Sequence, residues 1–214
     1  MKSVNEIRLQ PSAAAAPAAG LLRFAFDWLG AALGLFFLLP VLAVIAAAIK
    51  LDDGGTVFYA QARIGKGFRV FRFFKFRTML PGSDRHSLLT APADARLTRV
   101  GRFLRQYKLD ELPQLFNVLK GDMQLVGPRP EVERYLSLFR SEYASLLRER
   151  PGITDPASLA YRHEDKILRA DGMERQYISI VLPDKLRLSL AYQRRRGFAS
   201  DLRLLSQTVL SLFS

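Results

Sequence analysis

One long apolar run near the start of the chain dominates its pattern of hydrophobic and polar positions. Residues 28–49 (WLGAALGLFFLLPVLAVIAAAI) carry no charged side chain and are bounded by Asp27 and Lys50. As a straight helix, this run would be about 33 Å long, close to the roughly 30 Å hydrocarbon core of a bilayer. Pro40 lies in the middle of the run and lacks the N–H of other residues, so it predicts a kink or a break there.

Two membrane topologies fit this segment. From the residues alone, a kinked helix that spans the bilayer is favoured, because membrane helices tolerate proline. The alternative is a re-entrant helix, broken at Pro40, that enters and leaves on one face because each half is too short to cross. The pattern divides the chain into a flexible Ala/Pro-rich arm (1–20), a membrane-inserted helix (21–50) and one folded domain (51–214).

The folded domain begins with two predicted strands. Residues 56–61 have strand composition, and residues 68–78 (FRVFRFFKFRT) alternate aromatic and cationic side chains. The alternation slips by one after Phe73, which predicts a β-bulge. Beyond the bulge, Lys75 and Arg77 share one face of the strand, which either binds an anion or is simply solvated.

Helical spacing follows in two consecutive segments. Apolar residues recur at this spacing from Val100 to Tyr107, and Thr98 is placed to cap the helix. Its polar face carries Arg99, Arg102 and Arg105. A second helix follows from Leu112, and Gly121 is placed to end it.

Two further amphipathic stretches lie at residues 131–150 and 202–213. The second either packs in the core or lies on a membrane surface, and the cations that precede it favour the surface. Together these elements predict a small α/β fold that is mostly helical, with surface amphipathic helices and one membrane-inserted helix.

Composition and charge narrow the chemistry. The chain has no cysteine and only two histidines, which excludes disulfides, thiolate nucleophiles and Cys-based zinc sites. Its formal net charge is +12; residues 1–27 hold three cations and two acids, so the remaining residues carry +11. A surface this basic attracts anions, and any catalysis must use carboxylate, Lys/Arg or hydroxyl groups.

The segment LDELPQLFNVLKGDM (109–123) places Asp110 and Glu111 before the second helix. On spacing alone, helix capping by Asp110 is the favoured interpretation. The alternative is a nucleophile at a helix start that also binds phosphate. In VGPRP (126–130), two prolines stiffen the backbone around Arg129, which fits bidentate phosphate binding or a rigid turn with a solvated arginine.

Several motifs occur in a fixed order along most of the chain. Besides the two segments just quoted, they are KFRTM (75–79), RLTRVGRFLR (96–105) and RPGIT (150–154). From about Arg23 to the C-terminus, the chain resembles the bacterial sugar transferases that start glycan assembly, also called monotopic phosphoglycosyl transferases.

The resemblance implies an enzyme at the cytoplasmic face of the bacterial inner membrane. It implies transfer of a sugar-1-phosphate from a UDP-sugar to polyprenol (undecaprenyl) phosphate, with release of UMP, to initiate surface glycan synthesis. Asp110 is then the covalent nucleophile, and Asp110 and Glu111 hold the required Mg²⁺. The membrane helix is expected to be re-entrant, which reverses the preference for spanning. Neither the particular sugar nor association between copies of the chain follows from it.

Cations around the substrate phosphates are expected at Lys75, Arg105 and Arg129, and the strand pattern adds Arg77. A carboxylate that approaches a diphosphate meets repulsion of about 4 kcal/mol per charge pair at 4 Å and an effective dielectric of 20. Several cations in one folded unit would offset it, and covalent catalysis lets a soluble donor and a lipid acceptor react in turn.

Some residues depart from the family pattern, and one other class of function fits the composition. Leu39 stands where serine is usual before the membrane proline, Asp155 where glycine is common, and Ser189 where an acid is frequent. The other class is a non-catalytic, membrane-anchored basic module for nucleic acid or anionic lipid, in which Asp110 only caps a helix. That module needs neither an acidic pair nor a proline-framed arginine, so nucleic acid is not an expected partner.

Overall fold

The computed structural model describes residues 17–83, 89–90, 94–168 and 171–212. Its first element is a single helix, α1 (Pro17–Asp53). The predicted arm therefore ends earlier than residue 20, since proline suits the first turn of a helix, and residues 1–16 lie outside the described part. Pro40 lies inside α1, which continues on both sides of it, so the structure does not show the predicted break.

One face of α1 packs against the folded domain on both sides of Pro40. Ala31 and Leu35 are buried before the proline, and Ile45 and Ile49 after it. The opposite face is apolar yet exposed; Phe36, for example, is 71% exposed. An 18-residue window within Gly20–Asp53 has a mean hydropathy of 2.7, and the helix is long and apolar enough to cross a membrane. The exposed face gives α1 a surface suited to lipid.

Strands β1 (Phe58–Ile64) and β2 (Val70–Phe76) form an antiparallel hairpin. Their pairing runs from Phe58 opposite Phe76 to Ile64 opposite Val70 without a slip, so the predicted bulge is wrong. Aromatic residues follow one another in β2 because the strand packs on both faces. Phe73 belongs to the hydrophobic cluster that contains Ala31, while Phe76 belongs to the one that contains Leu35. A strand buried on both sides loses its simple alternation.

Helices α2 (Arg99–Gln106) and α3 (Gln114–Leu119) follow the hairpin, with a 3₁₀ turn (Leu109–Glu111) between them. The predicted cap of α2 is confirmed, because the Thr98 hydroxyl accepts a hydrogen bond from the Gly101 amide. Gly121 follows α3 with a left-handed backbone, φ 78°, as predicted for the end of that helix.

The remaining elements enclose the other side of the domain. Short strands β3 (Gln124–Val126) and β4 (Gly152–Thr154) pair in parallel. Helices α4 (Glu133–Leu136) and α5 (Arg140–Leu146) lie between them in sequence, with a 3₁₀ turn at Ser137–Phe139. The chain ends in α6 (Pro156–Ala160), α7 (Glu164–Ile167), α8 (Met173–Gln176), a π-helical turn (Tyr177–Val181), α9 (Leu182–Arg195) and α10 (Phe198–Ser211). The architecture is mostly helical, as predicted.

Candidate active site

Asp110 lies in the 3₁₀ turn between α2 and α3, one turn before α3 begins. Its side chain makes no capping hydrogen bond, so the capping interpretation that spacing favoured is wrong. The residue is 4% exposed, and its Oδ1 atom has no hydrogen-bond partner. A buried carboxylate oxygen without a partner is costly, and such a group suggests a functional rather than a structural role.

Glu111 is held by two cations. Both terminal nitrogens of Arg129 donate hydrogen bonds to the Glu111 carboxylate, and Nη1 lies 2.9 Å from Oε2. Lys75 Nζ lies 2.9 Å from Glu111 Oε1 and 3.9 Å from Asp110 Oδ2. The structure therefore brings together four predicted site residues, from the end of β2, the 3₁₀ turn and the VGPRP loop.

The two neighbouring carboxylates differ in their electrostatics. Burial raises the pKa of Asp110, and the charge of Lys75 offsets this only in part. Burial acts on Glu111 in the same sense, but the charges of Arg129 and Lys75 outweigh it and hold its pKa well below the usual range. Glu111 is thus a fixed anion that orders two cations, whereas Asp110 is a buried and poorly solvated carboxyl group.

The ring of Phe73 contacts Lys75, Arg129 and a third cation, Arg63. Lys75 Nζ lies 5.4 Å from the ring centroid, and the guanidinium carbons of Arg63 and Arg129 lie 5.6 and 6.0 Å away. Phe73 is almost fully buried, and an aromatic face attracts cations that have lost water. Phe73 and Lys75 are two residues apart in a strand without a bulge, so their side chains share one face.

The VGPRP loop is presented by close backbone packing against the RPGIT segment. The Gly127 amide donates to the Thr154 carbonyl at 2.9 Å, and the Gly152 amide donates to the Pro128 carbonyl at 2.9 Å. A Cβ atom on Gly152 would lie 2.1 Å from the Gly127 nitrogen, so only glycine fits there. The contact between the two motifs fixes the loop that carries Arg129.

Glu131 fixes that loop from its other end, a role that the sequence analysis missed. Its carboxylate accepts hydrogen bonds from Arg63 Nη1 at 2.7 Å and from the Tyr177 hydroxyl at 2.6 Å. Its position directly after the VGPRP motif was the available signal. Arg63 and Tyr177 had no recognisable spacing, because they come from distant segments.

The two other predicted phosphate ligands take different places. Arg105 Nε donates to the Thr78 hydroxyl at 2.9 Å, and its Nη1 donates to the Thr90 hydroxyl. Its charge also acts on Asp110. Arg77 instead pairs with Asp53 at the end of α1, with Nη1 2.6 Å from Asp53 Oδ2. The structure therefore places Arg105 near the carboxylate pair and Arg77 in an ion pair with α1.

A cavity of about 1160 Å³ joins these groups. Its wall includes Lys75, Arg105, Asp110, Glu111 and Arg129. It also includes Arg63 of β1 and polar residues from the C-terminal half, among them Glu131, Asp155, Tyr161, Lys185 and Ser189. The volume exceeds the usual range for a pocket that holds a drug-sized ligand, so the cavity has room for a large ligand.

Asp155 and Ser189, two of the three residues at which the sequence departs from the expected pattern, meet in this wall. The Ser189 hydroxyl donates to Asp155 Oδ2, and Asp155 Oδ1 accepts from the Ser158 amide at 2.7 Å. Asp155 is thereby the N-cap of α6. The hydroxyl group of Ser189 and the carboxylate of Asp155 therefore form one hydrogen-bonded pair in the wall.

Of the two acids in the site, Asp110 has the carboxylate oxygen that fits a metal ligand better. Within the described residues, no group of three or more His, Cys, Asp or Glu side chains could hold a metal ion. Mg²⁺ commonly binds one or two carboxylates together with water and substrate phosphates, so the unpartnered Oδ1 of Asp110 fits that requirement. Glu111 fits less well as a ligand, because Arg129 and Lys75 already occupy its oxygens.

A site of this kind beside a lipid-facing helix suits a membrane-associated enzyme that acts on phosphate-containing substrates. The sequence profile of the bacterial sugar transferases matches residues 18–214, so the chain belongs to that family and is a transferase. The resemblance found in the motifs is thereby confirmed. The alternative of a non-catalytic binding module required Asp110 to cap a helix, which it does not do.

Individual relatives carry more detailed names. The chain is 38% identical over 171 residues to the exopolysaccharide production protein ExoY of Sinorhizobium fredii, covering 72% of this chain and 76% of the relative. It is 44% identical over 137 residues to the UDP-glucose:undecaprenyl-phosphate glucose-1-phosphate transferase of Caulobacter vibrioides, covering 62% and 51%. It is 40% identical over 149 residues to the UDP-N-acetylgalactosamine-undecaprenyl-phosphate N-acetylgalactosaminephosphotransferase of Aeromonas hydrophila, covering 68% and 35%.

Proposed function

We propose that this transferase moves a sugar-1-phosphate from a UDP-sugar to polyprenol phosphate through a covalent intermediate on Asp110. The observation that carries the proposal is the buried carboxylate of Asp110, which lines the cavity, caps no helix and lies 3.9 Å from Lys75. Relatives named for transfer from UDP-glucose or UDP-N-acetylgalactosamine to undecaprenyl phosphate support the choice of substrates.

The first half-reaction forms the covalent intermediate. A carboxylate oxygen of Asp110 attacks the phosphorus atom attached to the sugar, and the bond from that phosphorus to the bridging oxygen breaks. UMP leaves with the electron pair of the broken bond, and the phosphosugar remains on Asp110. In the second half-reaction, a phosphate oxygen of polyprenol phosphate attacks the same phosphorus. The Asp110 carboxylate is released, and a polyprenol diphosphate-linked sugar is formed.

The cations offset charge repulsion during both steps. Each carboxylate–phosphate charge pair at 4 Å costs about 4 kcal/mol at an effective dielectric of 20. Arg129 and Lys75 are ordered by Glu111, while the described partners of Arg105 are hydroxyl groups, so its charge is free to act on substrate phosphates. A Mg²⁺ ion held by Asp110 and by substrate phosphates would supply further charge neutralisation.

We place both ends of α1 on one face of the membrane, the cytoplasmic face. Asp27 Oδ1 accepts a hydrogen bond from the Leu125 amide at 3.1 Å, and Asp52 Oδ2 accepts one from the Val100 amide at 3.1 Å. These two aspartates flank the apolar run, yet both bind the same folded domain. A helix anchored in this way enters the bilayer with its exposed face and does not carry its N-terminal end across.

Exposed apolar residues outside α1 support the same orientation. Phe103 of α2 and Tyr107, which follows its last residue, are exposed, although the sequence pattern placed them on an apolar, buried face. On α10, Leu202 and Val209 of the predicted apolar stripe are also exposed, while Leu204 is buried instead. Amphipathic helices with outward apolar faces suit an interfacial position, and the cations nearby favour anionic lipids of the cytoplasmic leaflet.

The test of the covalent mechanism omits the lipid acceptor. Purified enzyme with Mg²⁺ and a panel of UDP-sugars should release up to about one equivalent of UMP and then stop. Asp110→Asn should abolish this burst in a folded protein. Asp171→Asn, the same change at an exposed acid, is the matched control and should keep it. A burst of unchanged size in Asp110→Asn would remove Asp110 from the mechanism.

A further inference from the structure

The side chain of Asn117 links strand β2 to helix α3 in the centre of the molecule. Its Oδ1 accepts a hydrogen bond from the Phe74 amide at 3.0 Å, and its Nδ2 donates to the Arg72 carbonyl at 2.7 Å. Only one orientation of the amide satisfies both groups, because one needs an acceptor and the other a donor. Asn117 is 0% exposed, so no water can replace it without rearrangement.

This amide takes the place of a missing neighbouring strand. β2 pairs with β1 along one edge, and β1 and β2 form a sheet of two strands. The Arg72 carbonyl and the Phe74 amide project from the opposite edge, since their residues are two apart in the strand. The two hydrogen bonds from Asn117 therefore fix the peptide groups on both sides of Phe73.

The segments that Asn117 joins supply the reacting groups of the proposed site. Phe73 carries the ring against which Lys75 and Arg129 lie, at 5.4 and 6.0 Å. Lys75 follows Phe74 directly and reaches Glu111 Oε1 at 2.9 Å. Helix α3, which carries Asn117, begins three residues after Glu111. One buried side chain thus sets the position of the cations relative to the carboxylates.

We infer that Asn117 is a positioning residue for the transfer reaction: it holds β2 so that Lys75 faces Asp110 and Glu111. The inference rests on the proposed function of Asp110 and deepens it. Asn117 touches no substrate in this account, because it does not line the cavity. Its effect on turnover passes through Lys75 and the ring of Phe73.

A double-mutant cycle tests this inference. Asn117→Ala should lower kcat by about tenfold or more while the protein stays folded, since a small displacement of a catalytic group can cost up to about a hundredfold. In a Lys75→Met background, the same change should cost less than about twofold, because residues that act as a unit are not additive. Equal losses in both backgrounds would overturn the inference.

Two controls separate positioning from general damage and from a wrong function. Val118→Ala alters the next residue of α3, which is equally buried but packs against apolar neighbours. It should lower stability, and its effect on kcat should be the same with and without Lys75→Met. The affinity for UDP can be measured by calorimetry without turnover, in the unchanged protein, the two single variants Asn117→Ala and Lys75→Met, and the double variant. A non-additive loss of UDP affinity in an enzyme that transfers no sugar would reject the proposed function but keep the placement of Lys75 by Asn117. An additive loss in an active enzyme would do the reverse.

Discussion

At the scale of single residues, the site depends on the different surroundings of two adjacent acids. Glu111 gives both oxygens to cations, while Asp110 keeps one oxygen without any partner. The same burial that costs stability leaves the Asp110 carboxylate poorly solvated, which suits the nucleophilic role that we propose for it.

The stability of an Asp110 variant follows from this cost. The folded-state pKa of Asp110 is raised, so its stabilising contribution is present at low pH and is lost as pH rises through that pKa. At pH 7.5, Asp110→Ala should therefore leave Tm in detergent unchanged or higher. Thr98→Ala removes a true helix cap and should cost about 1 kcal/mol. A loss in Asp110→Ala as large as in Thr98→Ala would return Asp110 to a capping role.

The pH dependence of turnover should respond to Lys75. Burial raises the pKa of Asp110 and Lys75 lowers it, so Lys75→Met should raise it further. Because the nucleophile must be ionised, we expect the acid limb of the kcat profile to move to higher pH. Lys66→Met, the same change at an exposed lysine, should not move it. An unmoved limb in Lys75→Met would show that the limb does not report Asp110.

At the scale of elements, short backbone contacts position the site more than the long helices do. The 3₁₀ turn, the β1–β2 hairpin and the β3–β4 pair place the acidic pair, Lys75 and Arg129, respectively. Both motifs that meet at β3 and β4 contain a glycine at the point of contact. Their spacing in the sequence therefore reflects a packing requirement as well as chemistry.

Gly152→Ala tests this packing requirement. The added Cβ would lie 2.1 Å from the Gly127 nitrogen, and neither backbone can move aside cheaply. We expect a loss of about 1–3 kcal/mol in stability and reduced turnover, because the loop that carries Arg129 shifts. Gly197→Ala, where a Cβ meets nothing within 4 Å, is the matched control. Thermal unfolding that is equal in the two variants would contradict this role of Gly152.

At the scale of the whole molecule, α1 is both a membrane element and part of the core. Leu35 and Ile45 of this helix pack with Phe76 and Leu104 of the domain, while its other face is apolar and exposed. The proposed nucleophile, Asp110, therefore lies in a domain that packs directly against the helix with this exposed apolar face. This arrangement suits transfer between a soluble donor and a lipid acceptor.

The proposed topology can be tested with cysteines in a chain that has none of its own. Ser12→Cys lies before α1, and Ser141→Cys lies at an exposed position of α5. We expect both to be shielded from a membrane-impermeant thiol reagent in intact bacteria and labelled after lysis. Labelling of position 12 but not position 141 in intact cells would instead establish a spanning helix.

The sequence by itself determined the elements whose signals are local. The apolar run predicted α1, Thr98 and the following spacing predicted α2, and Gly121 predicted the end of α3. Ordered motifs were sufficient to indicate the family, because several short patterns in a fixed order rarely coincide. These features depend on hydrogen bonds and periodicity within a few residues.

Only the tertiary structure decided the features that depend on distant neighbours. The prediction of a bulge after Phe73 was wrong because β2 has packing partners on both faces. The sequence of one strand does not show which other elements pack against it. Spacing favoured Asp110 as a cap, yet burial beside Lys75 gives it a different environment. The strand pattern predicted the same role for Arg77 as for Lys75, but Arg77 forms an ion pair with Asp53 instead. Burial and charge pairing are set by residues far apart in the chain, so local pattern alone could not assign them.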